Sequence, residues 1–254
     1  MTTGSAPEPA AAPKVTFGVF IGSTLFALGL VCSTLVFAPI ALASTLLPYR
    51  LRWRVVTRWS RFNLFWLSVT CGVKSEVAGL EHIPAEPTVI LSRHESAWET
   101  LALQRWFAPQ VWVLKRELLR IPFFGWGLAT LRPIAIDRSA GRDAFAQMLQ
   151  QGEERLAHGC WVVVFPEGTR VPPGVRARFK QGGARLAVHT GRPVVPVAHN
   201  AGDCWPRNSF YKYPGTIRTV IGAPIETAGR SVAEVNRTAE QWIHDTLDRM
   251  RAGD

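Results

Sequence analysis

Between Lys14 and Arg50 the chain carries no charge: every position from Val15 to Tyr49 is apolar, small or neutral. A helix needs about 20 predominantly apolar residues to cross a bilayer, so this stretch suffices for one tilted helix and is short for two full crossings. Pro39 and Pro48, with Gly18, Gly22 and Gly29, leave a broken or re-entrant path open. A cleaved signal peptide is the competing reading, but the apolar core is too long for one and a basic leader is nearly absent. Membrane attachment through the N-terminal part is the expectation.

The flank that follows is basic and aromatic. Arg50, Arg52, Arg54, Arg58 and Arg61 alternate with Trp53, Trp59 and Trp66. Arginine favours the cytoplasmic side of a membrane, and tryptophan favours the headgroup layer. The flank is therefore expected to lie along an anionic bilayer surface, with membrane lipids as its partners. Phe62 to Val73 is too short to span and reads as interfacial or as core. A net charge of +10 also fits nucleic-acid binding. Against that, the arginines cluster beside the apolar segment and no nucleic-acid motif is present, so no nucleic-acid partner is expected. Cys32, Cys71, Cys160 and Cys204 show no paired spacing, which argues against a disulfide framework or a zinc site and for a reducing compartment.

Three blocks follow: residues 1–14, rich in Ala, Pro and Thr and expected to be disordered; 15–73, the membrane-associated helical segment with its flank; and 74–254, a domain of alternating strands and helices. In the last block, β-rich runs bounded by turn residues fall at Lys74–Ala78, Thr88–Leu91, Val111–Leu114, Ile134–Ile136, Trp161–Phe165, Val194–Ala198 and Thr216–Ile221. Helical character falls at Ala97–Phe107, Ala140–Leu156, Gln181–Thr190 and Val232–Met250. Strands separated by helices predict an α/β fold: a mixed β-sheet flanked by helices, behind an N-terminal membrane-embedded helical segment.

Two motifs carry chemistry. Ser92-Arg93-His94-Glu95-Ser96-Ala97-Trp98-Glu99 follows an apolar strand, which places His94 at a strand end, where sites of open α/β sheets gather. An imidazole held by a carboxylate takes a proton from a hydroxyl near neutral pH. Residues five apart diverge by about 140° around a helix, so His94 and Glu99 meet only if His94 stands in the turn before it. Ser96 and Glu99 also form a capping box, so Glu99 closing the helix start is the alternative, and a surface histidine is the alternative for His94. No Gly-x-Ser-x-Gly elbow surrounds Ser92 or Ser96, and no second histidine stands at helix-face spacing for a metal.

The second motif is Phe165-Pro166-Glu167-Gly168-Thr169-Arg170, after the apolar run Trp161–Phe165. Gly168 lets the backbone approach a ligand closely, and an arginine in such a turn suits an anion such as phosphate. Ile136-Asp137-Arg138 has the same form, and the plain reading of both is a strand-end surface ion pair. If the two strands are neighbours, their arginines form an anion pocket.

These blocks resemble the glycerophospholipid acyltransferase family, in particular its bacterial branch acting on lysophosphatidic acid. The His-x-x-x-x-Asp block matches His94 to Glu99, with Glu in place of Asp. The second block matches Ile136-Asp137-Arg138, the third matches Phe165 to Arg170, and the fourth, an apolar strand with proline, matches Val194-Val195-Pro196-Val197. Phe179-Lys180-Gln181-Gly182 is similar to the segment before that last block. The resemblance implies acyl transfer from an acyl thioester, acyl-CoA or acyl carrier protein, to the 2-hydroxyl of lysophosphatidic acid. His94 is then the general base and Glu99 its orienting carboxylate. Asp137, Arg138, Glu167, Gly168, Thr169, Arg170 and Lys180 would hold the phosphate-bearing substrate, with Asp137 positioning Arg138. No metal and no cofactor beyond the thioester are implied. The implied location is the bacterial inner membrane, with the catalytic domain on the cytoplasmic side. Acylation of another lyso-lipid and lipid binding without catalysis are the remaining alternatives.

Overall fold

The computed structural model describes residues 14–137 and 141–252. Most of the N-terminal block expected to be disordered lies outside them, as does Arg138.

The uncharged stretch forms one helix, α1 (Phe17–Ala43), about 40 Å long at 1.5 Å per residue. Thr16 caps it: its Oγ1 accepts from the Val19 N–H at 3.3 Å. The helix continues through Pro39, so the break that proline allowed does not occur there. With a following turn, Phe17–Leu46 is long and apolar enough to cross a membrane. Only 22% of its most apolar window is buried, which distinguishes it from a core helix. Phe17, Leu28, Val31 and Val36 lie on its bare side.

Two helices return the chain along it: α2 (Tyr49–Val56) and α3 (Arg58–Cys71). Gly22 and Gly29 let α3 approach α1 closely. A Cβ at Gly22 would stand 2.3 Å from the Thr70 carbonyl oxygen, and one at Gly29 2.0 Å from the Trp66 indole nitrogen. Trp66 Nε1 donates to the Leu25 carbonyl at 2.9 Å, and Asn63 Nδ2 to Ser33 Oγ at 3.1 Å. The basic, aromatic flank divides. Arg50, Arg54, Arg58 and Arg61 are exposed, but Trp53 is buried and its Nε1 donates to the Gln110 carbonyl. Trp53 is thus a core anchor rather than an interfacial residue.

From Val73 the chain alternates strands and helices: β1 (Val73–Ala78), β2 (Val89–Ser92), α4 (Trp98–Ala102), β3 (Gln110–Lys115), α5 (Phe124–Ala129), β4 (Ile134–Ile136), α6 (Gly141–Ala157), β5 (Trp161–Val164), α7 (Gly182–Thr190), β6 (Val194–His199), α8 (Ala201–Cys204), β7 (Gly215–Ile221) and α9 (Val232–Ala252). The strands form one mixed sheet in the order β1-β7-β6-β2-β5-β3-β4, with β6 and β7 antiparallel and the other neighbours parallel. The sheet's two cores show the period of a strand. Val89 and Leu91 of β2 join α6, α7 and α9 on one face, and Ile90 joins Trp53, Leu103 and Phe107 on the other. All seven expected strands are present. The helix expected over Ala97–Phe107 is shorter: α4 passes into a 3-10 turn at Leu103–Arg105. The strands ending toward Arg138 and Arg170 are not neighbours, because β3 runs between β4 and β5.

Candidate active site

The central strands β2, β5 and β3 are parallel, so their C-terminal ends open at one edge of the sheet. His94 stands there, in the turn between β2 and α4. Its Nδ1 lies 2.7 Å from Glu99 Oε1, and its ring stacks on Phe165 with centroids 4.1 Å apart. The Glu99 side chain is fully buried, whereas 15% of the His94 side chain is exposed. Ser96 Oγ accepts from the Trp98 N–H at 3.1 Å, so the serine cap starts α4 and holds His94 in the preceding turn.

The protonation states follow from the surroundings. Burial, helped by Arg170 and His199, holds the His94 pKa below its ordinary value against the pull of Glu99. Burial works to raise the Glu99 pKa, but the hydrogen bond from His94 and the nearby His199 and His94 rings outweigh it, and the carboxyl sits below its ordinary value. A neutral imidazole beside an ionised carboxylate results. Nδ1–H donates to Glu99, which leaves Nε2 with its lone pair available to take a proton.

Behind His94 lies a charged group that the sequence did not flag. Arg93 is fully buried, with Nε 3.0 Å from Glu95 Oε1 and Nη1 3.3 Å from Glu167 Oε1. Nη2 donates to the Pro172 and Val175 carbonyls at 3.3 and 2.8 Å. Glu167 Oε1 also accepts the His94 peptide N–H at 3.3 Å. Burial pushes the Glu167 pKa up to about 7 against the pull of Arg93. Glu167 therefore ties the turn after β5 to the base from within the protein. The available signal was Arg93 itself, an arginine directly after a buried strand and two residues before Glu95.

The other candidates divide by location. Gly168 is in the left-handed region at φ 72°, and a Cβ there would meet Lys180 Nζ at 2.8 Å. Lys180 and Thr169 are exposed. Arg170 is half-buried, and its Nε is buried without a hydrogen-bond partner among the described residues. Asp137 follows β4, two strands away from β5 and its turn.

His94, Phe165, Gly168 and Arg170 line one cavity of about 280 Å³. Its other walls are mostly apolar and come from α1 (Phe37, Ala38, Ala41), β3 (Trp112, Leu114) and the α5 region (Phe123, Gly127, Leu128). Lys115 and Gln104 also reach it. A proton acceptor, a cation and an apolar recess share one space.

Residues 74–200 match the acyltransferase family model. A 1-acyl-sn-glycerol-3-phosphate acyltransferase of Pseudomonas aeruginosa is 49% identical over 232 residues, covering 89% of this chain and 90% of that protein. The human 1-acyl-sn-glycerol-3-phosphate acyltransferase alpha is 29% identical, over 75% of this chain and 69% of its own length. The crystal structure of the 1-acyl-sn-glycerophosphate acyltransferase of Thermotoga maritima superposes with a TM-score of 0.77 at 23% identity, covering 91% of this chain and 95% of that one, a likeness of fold. With the family model spanning residues 74–200 and a relative at 49% identity covering nearly the whole chain, the protein belongs to the acyltransferase family.

Proposed function

We propose that the protein transfers a fatty acyl group from a thioester to the 2-hydroxyl of lysophosphatidic acid, giving phosphatidic acid. The observation that carries this reading is the His94–Glu99 pair, 2.7 Å apart, at a cavity shared by Arg170 and an apolar recess. Relatives named for acylation of 1-acyl-sn-glycerol-3-phosphate support the choice of acceptor.

In this reading His94 Nε2 takes the proton of the 2-hydroxyl as its oxygen bonds to the thioester carbonyl carbon. The tetrahedral intermediate collapses, the C–S bond breaks, and the imidazolium returns the proton to the leaving thiolate. Glu99 stays ionised throughout, fixing the tautomer and balancing the imidazolium charge. Arg170 pairs the substrate phosphate, with Gly168, Thr169 and Lys180 around it, and Asp137 and Arg138 join this set by the family resemblance alone. Glu167 serves from behind, by holding the His94 peptide. The apolar recess takes the acyl chain. The reaction needs no metal or cofactor beyond the donor, acyl-CoA or acyl carrier protein.

In this reading the bare face of α1 enters the bilayer, and Arg50, Arg54, Arg58 and Arg61, all exposed, lie against the cytoplasmic leaflet. The reading puts the domain on the cytoplasmic side of a bacterial inner membrane, and the exposed arginines beside the apolar helix support it. The test is acyl transfer by membranes holding wild-type or His94→Ala protein, with labelled lysophosphatidic acid and each donor. Phosphatidic acid from wild type alone is the expected result. Product from another lyso-lipid only would change the acceptor, and normal turnover by His94→Ala would end the assignment of the base.

A further inference from the structure

The peptide unit that joins Arg93 to His94 is held from both sides. Its N–H donates to Glu167 Oε1 at 3.3 Å, and its carbonyl accepts from His199 Nε2 at 2.8 Å. His199 ends β6, is fully buried, and accepts the Ala201 N–H on Nδ1 at 3.3 Å. That acceptance fixes the tautomer: the proton is on Nε2, the edge that donates to Arg93. The same nitrogen lies 4.0 Å from Glu99 Oε2, a buried oxygen with no hydrogen-bond partner among the described residues. Glu99 is thus flanked by two imidazoles, with His94 on Oε1 and His199 facing Oε2. A distance of 4.0 Å is too long for a hydrogen bond. It nevertheless makes a proton-bearing nitrogen the polar group opposite an otherwise bare carboxylate edge, where burial magnifies electrostatic effects.

We propose that His199 is a positioning residue for the base: it clamps the Arg93 carbonyl, and with it the backbone of His94, and supports the Glu99 carboxylate from the side that His94 leaves open. The proposal rests on the reading of His94 as the base. The charged and titratable groups around His199 are Glu99 from α4, Glu95 and Arg93 from the β2 turn, and His94 beyond Glu99, with Arg170 on the far side of His94. Burial is the main cause of the low pKa of His94, and His199 adds to it. For Glu99 the pull of His199 comes after the hydrogen bond from His94. Removing the second imidazole is therefore expected to make the protonated His94–Glu99 pair easier to form.

The experiment compares His199→Ala and His199→Gln, full chain in membranes, with His94→Ala as the control. A glutamine amide nitrogen reaches about where His Nε2 stands and can donate to the same carbonyl. His199→Ala is expected to lose about 10²-fold in kcat, the scale of a misplaced catalytic group, with KM for lysophosphatidic acid near wild type. Its acid limb of kcat/KM should move to higher pH, and His199→Gln should restore both turnover and the limb. Wild-type kcat and an unmoved limb in His199→Ala, or a folded His199→Gln no faster than the alanine variant, would overturn the proposal. If the alanine variant fails to fold by circular dichroism, the glutamine variant decides. Near-wild-type turnover with an unmoved limb supports the clamp, and a hundredfold loss or a moved limb overturns it. Normal turnover by His94→Ala would instead end the underlying assignment, so the two failures are distinguishable.

Discussion

Glu99 Oε1 stands 2.7 Å from His94 Nδ1, and the same oxygen accepts the peptide N–H groups of Glu95 at 3.1 Å and Ser96 at 3.0 Å. The Ser96 contact is the return half of a capping box, and the His94 contact is the orienting half of a base. Capping and orientation are one geometry here. Three groups depend on where that oxygen sits, and all three belong to the turn that carries His94.

Glu99→Gln separates the two roles. The amide oxygen can take the place of Oε1 and keep both peptide contacts, so the helix start should survive. The variant loses the negative charge that balances a protonated His94. We expect an unchanged far-UV spectrum and a kcat lower by about 10²-fold or more, the low end of what general base catalysis contributes. Initial rates and a thermal melt on the same preparation provide the check. Full turnover would leave Glu99 as a cap alone.

Glu167 provides a prediction in pH. Its carboxyl is raised from 4.5 to about 7 by burial, so the folded protein holds a proton there that the unfolded chain has released. The folded state binds more protons in that window, so this group's contribution to stability is greatest below pH 4.5, declines as pH rises to about 7, and is level beyond. Glu167→Gln removes this dependence while keeping a group that can accept from Arg93 and the His94 peptide. The stability of wild type relative to the glutamine variant should therefore fall between pH 5 and pH 7.5, by up to about 3 kcal/mol. Urea melts of both proteins across that range test it, and parallel curves would show that the carboxyl does not titrate there.

The parts of this site that could be read from the chain are local ones. Three apolar residues, Val89 to Leu91, followed by a turn and a cap put His94 at a strand end, and the inner strands announced themselves by apolar runs between turn residues. What escaped the reading is long-range. His199 reaches Arg93 across 106 residues, and Glu167 reaches it across 74, separations at which a sequence shows residue types without contacts. The expectation of paired strand-end arginines met the same limit, since β3 threads between β4 and β5 only in the folded sheet. Trp53 looked interfacial because tryptophan among arginines fits a headgroup layer equally well, and only the Gln110 carbonyl it meets places it in the core. Helix α5 was missed because six residues containing two glycines carry no helical period.

That missed helix sets up the last prediction. Helices α1 and α5 pack together, and both line the cavity that opens at His94. They meet through small residues: a Cβ added to Gly127 would lie 3.6 Å from Ala41 Cβ, and Ala38 lines the same wall. Small side chains at a helix crossing leave volume for a third occupant, and in the proposed reaction that occupant is the acyl chain. Ala41→Phe would fill part of this space without touching His94, Glu99 or Arg170. A chain that no longer fits must bend or withdraw, at about 0.8 kcal/mol for each methylene left outside an apolar environment. Competing thioesters of graded length, with the product analysed by mass, should shift toward shorter chains by up to about tenfold per two-carbon step, while turnover of the shortest donors stays near wild type. An unchanged product distribution in a folded Ala41→Phe protein would show that the acyl chain takes another path.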